Sequence, residues 1–239
     1  MSLADAFRNQ AQSCARLDSP FMQRLLTFLA TDWPTDSALA RKLASFTGNI
    51  GPSGHSLPLR VAGGLHALVL SGRSPALAAC YPPRAANDTA LRDAVLAALS
   101  EHEAFLLDWV DSPPQTNEVR RSAALIAGAR VVCAQFDLPV MLSELGASGG
   151  LNLMWDHFAL SVGGTTLGPD DPALTLTPDW TGPLPPAKVP HIASRAGVDL
   201  NPLNPRDADD LLRLTAYLWA DQPERLARTH AAAAVFDAE

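Results

Sequence analysis

Leu138-Pro139-Val140-Met141-Leu142-Ser143-Glu144-Leu145-Gly146-Ala147-Ser148-Gly149-Gly150-Leu151-Asn152 is the stretch on which the fold turns. Val140, Met141 and Leu142 form a short apolar run after Pro139, the size of one buried parallel strand. Glu144 closes that run, Gly146, Gly149 and Gly150 make a turn, and Leu151, Leu153, Met154 and Trp155 open a helix beyond it. A strand, a glycine turn and a helix N-terminus in that order make a cradle for an anionic or nucleotide-like ligand. Glycines let the backbone approach closely, and the first free N–H groups and the helix dipole point at the ligand.

Three specific patterns compete here. A dinucleotide fingerprint needs Gly-x-Gly-x-x-Gly, but Ser148 stands two places after Gly146 and Leu151 five places after it, so that pattern fails. Gly146-Ala147-Ser148-Gly149-Gly150 also spells the Gly-x-Ser-x-Gly elbow of serine hydrolases, with Ser148 as nucleophile and Asp199 or Asp221 followed by His230 in the required order. That fold places several strands before its elbow, where this chain has helical patterns. The third pattern is the S-adenosylmethionine loop of class I methyltransferases, Glu/Asp-x-Gly-x-Gly-x-Gly. Glu144, Gly146 and Gly150 fit it, with Ser148 in place of the middle glycine. The plain alternative is a glycine-rich turn that holds no ligand.

Apolar residues make up 47% of the 239 positions, enough to bury a sizeable core in one domain or two small ones. A net charge of −7 and a pI near 5.3 argue against nucleic acid or an anionic membrane as the main partner. Cys14, Cys80 and Cys133 are few, odd in number and far apart, as in a reduced cytosolic protein. The N-terminus lacks the basic and apolar regions of a signal peptide, and no apolar run reaches the roughly 18 residues of a membrane span. The expected location is the cytoplasm.

Residues 1–114 read as a helical region. Ser2 with Asp5 predicts a capping box, and Leu3, Phe7, Ala11 and Cys14 share one helical face. Ser19-Pro20 predicts a second helix start, and Thr35 or Asp36 a third, closed by Gly48. A helix from Pro58 to Leu70 carries Gly63-Gly64, which predicts close packing against a neighbour. Thr89 to Trp109 predicts one amphipathic helix. His102 lies in it between Glu101 and Glu103, but adjacent helix positions diverge, so no metal site is expected. Asn117 to Phe136 predicts the helix that feeds the central strand. Capping explains Asn117 and Glu118, whereas Arg120 and Arg121 oppose the helix dipole and predict a facing carboxylate, of the protein or of a ligand.

Beyond His157, Gly, Pro, Thr and Asp fill 158–192, with alternation at Ala159–Val162, Thr165–Leu167 and Leu174–Leu176 predicting a hairpin and a strand. Gly197-Val198-Asp199-Leu200-Asn201-Pro202 then resembles the end of the second strand of a nucleotide-binding sheet, where an acid accepts hydrogen bonds from two ribose hydroxyls. Asp199 stands 55 positions after Glu144, against about 20 in the usual unit, so 158–192 is read as an insertion. Two helices follow, from Asp207 and from Gln222, joined by Trp219-Ala220-Asp221-Gln222.

Together, Gln115–Arg120, Glu144–Leu153, Gly197–Pro202 and Trp219–Arg225 resemble the bacterial domain-of-unknown-function family 2332, over nearly the whole chain. Its members look like class I methyltransferases preceded by a helical region. The resemblance implies an α/β protein with an N-terminal all-helical region (1–114) and a partial, C-terminally truncated Rossmann-like methyltransferase sheet (115–239). Family members continue past Trp219, and a homodimer covering the open sheet edge is the corresponding expectation. The implied small-molecule ligand is S-adenosylmethionine. Glu144, Gly146, Ala147, Ser148, Gly149, Gly150 and Asn152 would hold it, with Asp199 on the ribose, while Asn117 and Arg120 would line the acceptor side. The competing class is a non-catalytic sensing or interaction module that keeps the cradle's shape.

Overall fold

The computed structural model describes residues 1–238 of a mixed α/β chain, about half of it helical. Two compact units are present: Met1–Gln115 with Thr215–Pro223, and Thr116–Leu214 with the segment from Glu224 onward. No helix among the described residues is long and apolar enough to cross a membrane.

The first unit contains α1 (Leu3–Arg16), α2 (Pro20–Thr31), α3 (Ala38–Ala44), α4 (Leu57–Leu70), α5 (Pro75–Ala78), α6 (Asp88–Glu101) and α7 (Glu103–Trp109). Their starts follow the local chemistry. Ser2 and Asp5 form the reciprocal capping box of α1, Ser37 caps α3 through the Ala40 N–H, and Asn87 caps α6 through that of Ala90. The third helix therefore begins just after the predicted Thr35 or Asp36, and it ends at Ala44, short of Gly48. Ser19 does not cap α2. Its hydroxyl donates to Asp221 Oδ1 (2.6 Å), and Asp221 Oδ2 takes the Phe21 N–H (2.9 Å) in its place.

α4 is buried almost all round. A Cβ on Gly63 would lie 2.5 Å from Tyr217 Cε1, and one on Gly64 would lie 2.7 Å from Leu106 Cδ2, so close packing requires both glycines. The predicted single helix Thr89–Trp109 is broken at His102 (φ −113, ψ 24). The break frees Glu103, whose carboxylate accepts the Leu39 N–H at the start of α3 (3.0 Å).

The second unit opens with a 3-10 turn, Val119–Arg121, then α8 (Ser122–Phe136) and β1 (Val140–Leu145). The helix predicted from Asn117 thus starts later. Glu118 folds back onto the Arg120 N–H (3.1 Å), and the Asn117 side chain is engaged elsewhere. The segment predicted as an insertion holds β2 (Phe158–Val162), β3 (Thr165–Leu167) and β4 (Leu174–Leu176). β2 and β3 are antiparallel across Gly163-Gly164, both at positive φ as a type I′ two-residue turn requires, and β4 lies parallel to β2.

β5 (Ile192–Val198) returns to pair in parallel with β1, placing Glu144 opposite Gly197 and Leu145 opposite Val198. α9 (Ala208–Ala216) and α10 (Pro223–Ala238) complete the described residues. The core of this unit gathers Val119, Ile126, Leu151, Trp155, Phe158, Leu160 and Val235, with Leu142 and Ile192 packed on its margin. β1 alternates, with Val140, Leu142 and Glu144 half-buried while Met141 and Leu145 are 76% and 86% exposed. Parallel strands ordinarily have both faces covered, so this pair presents one open apolar face.

Candidate functional site

β1 and β5 run in the same direction, and their C-terminal ends meet at the glycine turn. The Val198 carbonyl accepts both the Gly146 N–H (2.8 Å) and the Ala147 N–H (3.1 Å), fastening the turn to the end of β5. Gly146, Ser148 and Gly150 lie at φ +70, +53 and +69. Glycine reaches that region without strain, whereas Ser148 holds it at some cost. Gly146 has open space where a side chain would stand, and Gly149 is packed against Leu214 and Pro205. Gly197, directly opposite Glu144, has no room for a side chain. A Cβ there would lie 2.7 Å from that of Ala147.

Asp199 faces this turn. Its Oδ1 accepts the Asn201 N–H (2.9 Å) and its Oδ2 the Ser148 N–H (2.8 Å), and these bonds hold the carboxyl below the usual carboxylate range. The Leu200 N–H adds to the same lowering, so three backbone donors surround this carboxylate. Of the turn amides from Gly146 to Leu151, that of Gly149 alone lacks an acceptor among the described residues. The turn amides are therefore mostly taken up by acceptors elsewhere in the same unit.

Two buried side-chain atoms at the site have no hydrogen-bond partner among the described residues, Glu144 Oε2 and Ser148 Oγ. Burial raises the Glu144 carboxyl, and the nearby Arg121 charge opposes the rise. Buried polar atoms are rarely left unpaired, so both call for an explanation.

The predicted helix after the turn is a 3-10 segment, Leu151–His157, kinked at Met154 (φ −95, ψ 16). Two side chains account for it. Asn117 Oδ1 takes the Leu151 N–H (2.8 Å), and Arg195 Nη1 donates to the Leu153 carbonyl (3.1 Å) while pairing with Asp156 (2.9 Å). Asn152 is also internal, its Oδ1 accepting from Ser122 Oγ (2.8 Å). Glu144, the glycines, Ser148 and Asp199 are thus gathered at one turn, while Asn117 and Asn152 brace it from within. Arg120 is exposed and lines a separate cavity with Arg228. Among the described residues the Ser148 hydroxyl has no hydrogen-bond partner, and Asp221, the other acid considered for a hydrolase, is bound to Ser19 and Phe21. Gly197 and Arg195 escaped sequence reading as parts of the site's frame. The Gly-Val-Asp order was the available signal for the first, and an arginine within a strand for the second.

Comparison with curated proteins gives no match, and comparison with solved structures gives none either. The family model described as an uncharacterised protein conserved in bacteria (DUF2332) matches residues 4–239, and the chain belongs to that family.

Proposed function

We propose that the second unit binds S-adenosylmethionine at the Gly146–Gly150 turn and works as a methyltransferase-like protein. One observation carries the reading. A glycine turn at the paired ends of two parallel strands has the Asp199 carboxylate against it and leaves Glu144 Oε2 and Ser148 Oγ buried without partners. The C-terminal ends of parallel strands are where open α/β sheets bind ligands. The unpaired atoms match the polar aminoacyl end of such a cofactor. Glu144 offers an acceptor for its ammonium, Ser148 and the free Gly149 N–H offer donors for its carboxylate, and the Asp199 carboxylate is an acceptor of the kind ribose hydroxyls need.

When bound, the cofactor supplies the methyl group, and the protein's task is to hold and orient it. The open space at Gly146 lets the ligand approach the backbone. Isothermal calorimetry with S-adenosylmethionine tests this reading. Saturable binding that weakens at least about tenfold in Glu144→Gln, the loss expected for one charge-assisted hydrogen bond, is the expected result. No heat at millimolar cofactor overturns it.

A second reading has its own observation: turn amides that are mostly satisfied internally leave few donors for a reacting group. It describes a ligand-sensing module without turnover, and the same titration with no methyl transfer to any acceptor would distinguish it.

A further inference from the structure

We infer that the second unit carries a separate oxyanion site, formed by Arg120 and Arg228 over the end of β4, which takes the phosphate or carboxylate group of a small molecule. The cavity encloses about 230 Å³ and is lined by both arginines together with Thr175, Thr177 and Pro178. A water's share of the liquid is about 30 Å³, so the space admits an oxyanion with several further heavy atoms.

The charge balance favours an anion. Glu118 is the carboxylate that binds this arginine cluster, and it is largely committed. Its Oε2 receives Arg225 Nε and Nη2, each at 3.0 Å, and its Oε1 receives the Arg120 backbone N–H at 3.1 Å. Arg228 reaches Oε1 only at 4.0 Å, and its Nε is buried with no hydrogen-bond partner among the described residues. The Arg120 guanidinium has no carboxylate partner among the described residues. Of the two arginines that line the cavity, Arg228 thus has only this long contact to a carboxylate and Arg120 has none among the described residues, in a protein whose net charge is −7.

A buried, unpaired guanidinium nitrogen is costly unless something accepts from it. The planar fork of arginine fits the oxygens of phosphate and carboxylate, and threonine hydroxyls at a strand end add uncharged donors. The site uses no residue of the glycine turn, so it stands or falls apart from the cofactor reading.

The test is a titration of the full chain, in low-chloride buffer, with inorganic phosphate and separately with acetate, followed by calorimetry and by backbone amide NMR shifts at Thr177. Saturable binding of either anion, with shifts confined to this cavity, is expected, and the tighter of the two identifies the headgroup. Arg120→Gln, at an exposed position, weakens it about tenfold, as does Arg228→Gln with Arg225 still holding Glu118. Should Arg228→Gln perturb folding, Arg120→Gln and Thr177→Val decide the matter alone. Equal, non-saturating responses from the wild type and from Arg120→Gln would overturn the assignment.

Discussion

Asn117→Ala removes the acceptor that starts the 3-10 segment behind the glycine turn. Leu151 is 0% exposed and Asn117 6%, so water cannot replace the lost 2.8 Å bond without the turn opening. Leaving one buried amide unsatisfied costs about 1–3 kcal/mol. In a chain of 150–250 residues each kcal/mol lowers the melting temperature by about 2–4 °C, so a fall of roughly 4–8 °C is expected near the middle of that range. Asn117→Asp keeps an acceptor in place and should lose less than half as much. Thermal melts followed by circular dichroism measure the fall, and hydrogen exchange at the Leu151 amide, faster by about tenfold per 1.4 kcal/mol of local destabilisation, locates it. A melting temperature within about 1 °C of wild type, with Leu151 still protected, would refute the bracing role. A loss of S-adenosylmethionine affinity at unchanged stability would return Asn117 to the ligand side.

Two further outcomes follow from the same frame. Gly197→Ala puts a methyl group 2.7 Å from the Ala147 Cβ and 3.0 Å from Leu153 Cδ1, and should cost about 1–3 kcal/mol by urea denaturation, with Ala147→Gly recovering part of it. Asp199 is held below its ordinary value of 3.8, so its stabilising contribution is present above that pH and lost as pH falls through the folded value. Asp199→Asn should therefore lower the urea midpoint at pH 7, and the gap to wild type should close below about pH 4.

The first unit was largely legible because its signals are local. A capping box at Ser2 and Asp5, a proline at the head of α2 and a tightly packed glycine pair in α4 each follow from neighbours in sequence. Where the reading slipped, a distant side chain had intervened. Asp221 displaced Ser19 as the α2 cap, and Glu103 reached α3 as the chain broke at His102. The glycine turn, the hairpin and the pairing strand near Asp199 were likewise visible as patterns. The 3-10 geometry beyond the turn was not, because Asn117 and Arg195 impose it from 34 and 42 residues away. Nor was the meeting of Arg120 with Arg228 at one cavity, since the two lie 108 positions apart and no local pattern joins them.

The turn's fastenings also fix an order of events during folding. The Asp199 carboxylate that secures Ser148 lies 51 positions later in the chain, and the Val198 carbonyl beside it is as remote. The β2–β3 hairpin needs only residues 158–167 and can form in microseconds, but β1 has no partner until the ribosome has released β5. Closing a loop of about 50 residues costs roughly 3.5 kcal/mol beyond a constant term, so this step is late and slow. In a nascent chain the glycine loop thus sets only after β5 has emerged, well after the β2–β3 hairpin.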